Sequence, residues 1–412
     1  MKRQVIVVGA GPGGSTAAFY LAKSGVDVLL LDKETWPRDK PCGDSYLTSL
    51  YPIFEDMGIM EEMQANVSMT PKKMRLIDSK EECFDFDVQP WMIIPRRIGD
   101  DIIRRAAVKA GADFMENFDV TKLIIRKGQV KGITGYYENE ETTIECDAVV
   151  VANGAHSMLT RQIGGFLEDK EYVNYCWRGY FKGVEGTEPG RVEEIYFPDT
   201  LPHPTHGPLC MAWVSPMYPE NKEAKMASCG MTIPERVLNE ADMTLEEMWH
   251  WWCENTKYGQ LHMKHAVQLD KMRCMRLPSS TKLQKSYAAG AIMIGDAANA
   301  AECAYDYGIP SAMYGGKIAA GVLKDCEDRQ DFSEEALSVY QKLAEENLND
   351  GLKFNSVFRN ELLAKKDVMN DFLHWAKSQP KYPHMYFDES AGRYLSEVLG
   401  FNPPKSDKKI SQ

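Results

Sequence analysis

The chain has 412 residues, 44% of them hydrophobic and 26% charged, a balance that fits a soluble globular protein of two or three domains. Its formal net charge of −12 argues against a nucleic-acid partner, which calls for a basic face, and no apolar run approaches the roughly 20 residues that span a bilayer. The ten cysteines show neither the CxxC spacing of a zinc site nor a disulfide framework, and a reducing cytoplasm is the expected location.

A strand is expected almost at Met1, leaving no room for a signal peptide. Its apolar residues 5–8 run into Gly9-x-Gly11-x-x-Gly14, followed by a helix-forming stretch with Ala17 and Ala18. Each glycine has a separate duty in such a unit. Gly9 makes the tight turn, Gly11 lets backbone approach a pyrophosphate, and Gly14 lets the helix lie close to the sheet. Pro12 and Gly13 complete the turn, and the helix N-terminus offers free N–H groups and a positive dipole end to phosphates. A second apolar strand at 26–31 ends in Asp32, the place of a ribose-binding carboxylate, with Lys33 beside it. Together they point to a dinucleotide cofactor.

Residues 33–45 form a loop rich in proline, glycine and polar side chains, a setting in which function concentrates. Alternation over 69–88 predicts two strands of a small sheet, and 96–111 a helix with a glycine stop. Strands are expected at 123–126, 129–136 and 142–146, and a further buried strand at 147–151 closes on Asn153-Gly154. From about 165 to 281 prolines, tryptophans and short alternating runs replace the α/β pattern, as an inserted antiparallel sheet requires. Inside it 245–253 reads as a helix whose tryptophans are packing material. His203-Pro-Thr-His206 suggests a metal clamp, but no carboxylate or thiol pattern completes it, and no metal is expected. The α/β pattern returns at 288–298, and a long helix is expected over 311–324. Beyond 331 the chain reads as amphipathic helix, with Asp331 and Ser333 as caps and Leu337, Tyr340, Leu343 and Leu348 on one stripe. Residues 403–412 are polar and expected to be disordered.

Three distant segments now line up. The Gly9 fingerprint, the Ala152-Asn153-Gly154 turn, and Gly295-Asp296-Ala297-Ala298 followed by Gly308-Ile309 resemble the flavoprotein monooxygenase and reductase superfamily. The resemblance implies an α/β + β fold: a Rossmann-like FAD-binding domain of the para-hydroxybenzoate hydroxylase type, an inserted antiparallel substrate sheet and a helical C-terminus. Residues 1–67, 95–164 and 282–330 then form the FAD domain, 68–94 and 165–281 the substrate sheet, and 331–402 the helical region. FAD is the implied cofactor. Asp296, at a strand end, suits a ribityl hydroxyl, and Arg96 resembles the arginine placed against FAD. Cys42, Gly43, Asn153, Gly154, Gly295, Gly308 and Ile309 are implied to border it.

Within the superfamily the chain is most similar to the geranylgeranyl reductase family. Lys40-Pro41-Cys42-Gly43 resembles its cysteine loop, and residues 295–316 its G-D-A-A…G-I…A-M-x-x-G segment. Residues 208–216 resemble its P-x-x-Y-x-W-x-F-P motif, with Pro208, Trp213 and Pro216 in register. The sequence departs from the pattern where Met211 and Ser215 replace aromatic residues, Asn153 an acid, Cys303 a proline, and Asp306-Tyr307-Gly308 a G-E-G.

The implied activity is reduction of a carbon–carbon double bond in a small or lipid-like substrate, by hydride from flavin N5 and a protein-assisted proton. Cys42, Tyr305 and Tyr307 are the catalytic candidates. Either phenol donates the proton or packs on the ring; Cys42 is a donor, a group that tunes the flavin, or one more buried thiol. Trp213, Met211 and Pro216 are the candidate substrate walls. The alternative is an FAD-dependent monooxygenase using a flavin hydroperoxide; a further one is an electron-transfer flavoprotein dehydrogenase-like carrier, against which the scattered cysteines speak. Electrons are expected from NAD(P)H or from a reduced ferredoxin or flavin, the latter brought by a donor protein. The remaining partners are an alkene substrate and, at most, a peripheral membrane contact.

Overall fold

A computed structural model describes residues 2–165, 168–196, 210–217 and 226–401. The Lys2–Val8 strand pairs in parallel with Val28–Leu31 on one side and Glu140–Val151 on the other, and Val5 to Val8 are buried. A strand covered on both faces needs an unbroken apolar run, which this one has. The first sheet runs in the order Tyr287–Ala288, Ala291–Met293, Glu140–Val151, Lys2–Val8, Val28–Leu31, Asp113–Met115, with Phe118–Arg126 and Gln129–Tyr137 joined through Glu140–Val151. The break expected at residue 147 does not occur. One strand spans Glu140–Val151, its outer half alternating in burial and its inner half enclosed on both faces. The change of pattern marks its passage from an antiparallel meander into the parallel core.

The Pro12–Lys23 helix covers one face of this sheet and lies against the Ile309–Arg329 helix, which is longer than the stretch expected at 311–324. The two meet backbone to backbone: a Cβ on Gly316 would stand 2.4 Å from the carbonyl oxygen of Gly13.

The second sheet runs Val267–Gln268, Val173–Lys182, Met226–Pro234, Met211–Met217, Arg191–Tyr196, Lys73–Ile77, Cys83–Asp87, with Arg273–Pro278 beside Val173–Lys182. All its pairs are antiparallel except the seam where Arg191–Tyr196 meets Lys73–Ile77. One side of the sheet packs on the Leu245–Asn255 helix, whose Trp249 and Trp252 are buried as expected of packing residues; Trp251 is half-buried.

The C-terminal chain forms Glu334–Phe358, Lys366–Ser378 and Phe387–Arg393 helices, with π-helical turns at Arg359–Leu363 and Tyr394–Val398. Ser333 caps the first by accepting from the Ala336 N–H, and Asp331 accepts from the Ser333 N–H. Leu337, Tyr340 and Leu348 are buried, but Leu343 is 37% exposed. Ala344 takes the buried place instead, because Tyr340, Ala344, Leu348 and Leu352 follow one line at intervals of four while Leu343 stands about 100° away around the axis. Phe358, Phe372, Phe387 and Tyr394 form a core with Phe84 and Phe86 of the second sheet, and Met211, Met226 and Tyr305 pack against it. The helices thus close the outer end of that sheet. Among the described residues no helix is long and apolar enough to cross a membrane. The tail at 403–412 and the His203–His206 pair lie outside the described residues.

Candidate active site

A cavity of about 1720 Å³ runs from the glycine turn of the first sheet to the inner face of the second. At the near end stand Gly9, Gly11, Pro12, Gly13, Asp32, Lys33, Asn153, Gly154, Gly295, Asp296, Gly308 and Ile309; Cys42, Gly43 and Arg96 come next, and Tyr305, Tyr307, Met211 and Trp213 line the far part. Gly14 and Pro216 are not on the wall. Gly14 lies beneath the turn, where a Cβ would fall 1.9 Å from the Gly9 carbonyl oxygen. Its contribution is close packing, as expected. Pro216 is a correction. Side chains alternate along Met211–Met217, so Met211, Trp213, Ser215 and Met217 face the cavity while Pro216 joins Ala212 and Val214 on the opposite side.

The near end is built for an anionic dinucleotide. Gly9 has φ +104° and donates to the Leu31 carbonyl at 2.8 Å; a Cβ there would meet the Ala152 oxygen at 2.4 Å. The Pro12–Lys23 helix has no side-chain cap, so its first N–H groups are available. Asp32 accepts from the Ala10 N–H at 2.8 Å and the Glu34 N–H at 2.9 Å, which fixes its carboxylate at the mouth of the turn. These residues fit the adenosine and pyrophosphate of FAD.

Two expected contacts are already shared with internal partners. Asp296 receives the Lys40 ammonium at 2.9 Å; burial pushes its carboxyl upward, but the Lys40 charge prevails and holds it below the usual carboxylate range. A carboxylate has about four lone-pair sites, so capacity for a ribityl hydroxyl remains. Arg96 lines the cavity, yet its guanidinium is bidentate to Asp100, at 2.8 Å through both Nε and Nη2. Arg38 (2.6 Å) and the Tyr46 hydroxyl (2.8 Å) bind the same carboxylate. Arg96 therefore anchors this cluster as well as lining the cavity.

The cysteine loop is pinned from the second sheet. Arg178 makes a two-point ion pair with Asp39 (2.8 and 3.2 Å), donates to the Lys40 carbonyl at 2.7 Å, and lies 4.1 Å from the Tyr180 ring centre. Tyr180 donates to Asp44, which also accepts the Arg96 N–H at 3.1 Å. Asp44 is fully buried with φ +62°, and burial raises its carboxyl to about 6 against the pull of Arg178 and Arg96. Cys42 is half-buried on this braced loop.

At the far part the Tyr305 and Tyr307 rings stack with centres 5.6 Å apart. Glu302 holds both: one carboxylate oxygen accepts the Tyr305 and Tyr307 N–H groups at 3.0 Å, the other the Ala304 N–H at 2.7 Å. Burial pushes the Tyr307 phenol well above its ordinary value, which weakens it as a proton donor. Asp306 is half-buried with φ +57°, takes the Asn174 amide at 2.8 Å, and is raised to about 7, chiefly by desolvation.

Residues not singled out from sequence thus organise the site: Lys40, Asp44, Asp100, Arg178 and Glu302, and Glu194, a cavity-lining acid on Arg191–Tyr196. Only Glu194 left a signal, an acid where alternation calls for an apolar residue. Lys40, Asp44 and Arg178 depend on pairing between distant segments, and Asp100 does so in part, while Glu302 draws its backbone donors from within five residues. Among the described residues no group of three or more His, Cys, Asp or Glu is arranged to hold a metal.

Comparison with known proteins agrees with this geometry. The model of the family described as FAD binding domain matches residues 2–309. The chain is 26% identical over 379 residues to a digeranylgeranylglycerophospholipid reductase of Methanocella arvoryzae, covering 90% of each. It is 24% identical over 354 residues to conditioned medium factor receptor 1 of Dictyostelium discoideum, covering 82% of this chain but only 66% of that longer one. In structure it is similar to a geranylgeranyl bacteriochlorophyll reductase-like protein from Thermoplasma acidophilum, with a TM-score of 0.80 at 21% identity over 96% of both chains.

Proposed function

The chain belongs to the FAD binding domain family, and from that premise we propose that this FAD-dependent oxidoreductase reduces a carbon–carbon double bond in a small or lipid-like organic molecule. The observation that carries the reading is the continuity of one cavity, polar and glycine-rich at the cofactor end and walled by Val192, Met211, Met217 and Met226 at the other. The reductase among the relatives supports it. FAD, when bound, supplies a hydride.

The chain's own groups supply the rest. The Pro12–Lys23 helix N-terminus takes the pyrophosphate, Asp32 the ribose and Asp296 a ribityl hydroxyl. The methionine and valine wall receives hydrocarbon and excludes water. Cys42, on its braced loop, stands between the cofactor end and the substrate end and provides a proton. Electrons come from NAD(P)H or from a reduced ferredoxin or flavin carrier.

The test is anaerobic. Chemically reduced holoprotein is mixed with alkenes, and flavin reoxidation is followed together with product mass. Reoxidation without oxygen, with a product heavier by the mass of H₂, is the expected result. A product that forms only with oxygen and carries its isotope label would replace this reading with a monooxygenase. Cys42→Ala should keep its FAD and lose most turnover; unchanged turnover removes Cys42 from the mechanism.

A further inference from the structure

One row of residues crosses the second sheet under the cavity: Gly230, Trp213, Glu194 and Leu76 stand opposite one another on four neighbouring strands. Trp213 and Glu194 both line the cavity. The indole reaches over Gly230, where a Cβ would meet its Cη2 at 2.4 Å. The ring therefore extends toward the strand on the side away from Glu194.

Trp213 is 8% exposed, yet its Nε1 has no hydrogen-bond partner among the described residues. The enclosed Oε2 of Glu194 has none either. A buried polar atom left unsatisfied costs about 1–3 kcal/mol. Two of them, on cross-strand neighbours that both line one cavity, mark a place where a ligand completes the bonding.

The chemistry of that ligand follows from the pair. Burial, helped by the nearby charge of Asp388, raises the Glu194 carboxyl to about 8, so at neutral pH it carries its proton and can donate. Tyr307, the other titratable group that senses Glu194, also has its neutral form favoured by burial. The indole N–H only donates. Two neutral donors beside the acidic Asp388 suit a neutral oxygen acceptor, whereas an anion would meet repulsion and a plain hydrocarbon would leave both groups unmet.

We propose that Glu194 and Trp213 form a hydrogen-bonding subsite for a neutral carbonyl oxygen, so that the double bond reduced is one conjugated to a carbonyl. This rests on the double-bond reductase reading. Two donors on the oxygen draw electron density from the β-carbon and make it a better hydride acceptor.

The test uses FAD-loaded wild type, Trp213→Phe and Glu194→Leu, titrated with a cyclic enone and with the cyclic alkene of the same ring size, read by the flavin absorbance change. Wild type should bind the enone about tenfold tighter, and each variant should lose about fivefold of enone affinity while alkene affinity holds, as one neutral hydrogen bond predicts. The infrared absorption of protonated carboxyls in wild type should lose one component in Glu194→Leu. Equal wild-type affinity for the two probes, or enone affinity unchanged in Trp213→Phe, overturns the subsite, and neither readout depends on Glu194→Leu folding. Selective enone binding without reduction keeps the subsite and sinks the reductase reading. Reduction of both alkenes with equal affinity does the reverse.

Discussion

At the scale of single residues, the positions that sequence exposes are those where only one side chain fits. Gly9 and Gly14 are of this kind, since the space around them admits no Cβ. Gly14→Ala should force the Gly9 turn away from the helix, costing about 1–3 kcal/mol as other overpacked sites do. The measurements are urea unfolding of the apoprotein and the ratio of flavin to protein absorbance. A variant with full stability and full FAD content would show that the turn yields freely. Glu194 and Glu302 lie at the other extreme. Glu194 matters through the enclosure of its carboxyl and Glu302 through the backbone N–H groups that converge on it, and neither belongs to a recognisable motif. The reading of Asp32 succeeded for the opposite reason: its partner, the Ala10 N–H, belongs to the same short strand–turn–helix unit.

At the scale of elements, the Arg96–Lys109 helix was legible from its glycine stop, but what its first turn does was not. Arg96 and Asp100 are neighbours along the helix, while Arg38, from a loop, and Tyr46, from the short Ser45–Tyr46 strand, reach the same carboxylate across more than fifty residues. Burial opposes ionisation of Asp100, but Arg96 and Arg38 overcome it and hold the carboxyl far below its usual range. Its contribution to stability is therefore complete above the unfolded carboxyl value of about 4 and is lost as pH falls through the lower folded value. Asp100→Asn leaves two guanidinium groups without their buried counter-charge and should cost about 3–5 kcal/mol. Urea midpoints at neutral and acid pH would check both statements, the gap between wild type and variant narrowing as the solution becomes more acidic. A gap that stays constant, or one that widens in acid, contradicts the ion-pair account. The single long strand Glu140–Val151 carries a related lesson. A change from alternating to continuous apolar residues signals a change of neighbours, not a break in the chain.

At the scale of the whole molecule, the C-terminal helices act as the end wall of the second sheet. Their ring cluster centres on Phe372, which contacts the rings of Phe86, Phe387 and Tyr394 and is fully buried. Phe372→Ala should cost about 3–5 kcal/mol in unfolding free energy. The FAD spectrum should survive while affinity for an apolar probe falls, because the emptied core abuts Met217 and Met226 rather than the glycine turn. Equal loss of cofactor and probe would mean that the helices support both ends alike. The backbone contact between Gly13 and Gly316 has a consequence of another kind, in time. The Pro12–Lys23 helix is made nearly three hundred residues before its helical partner, Ile309–Arg329. At about 5–20 residues per second that is a wait of roughly 15–60 s. Through that interval the nascent chain carries a helix face whose partner has not yet been made.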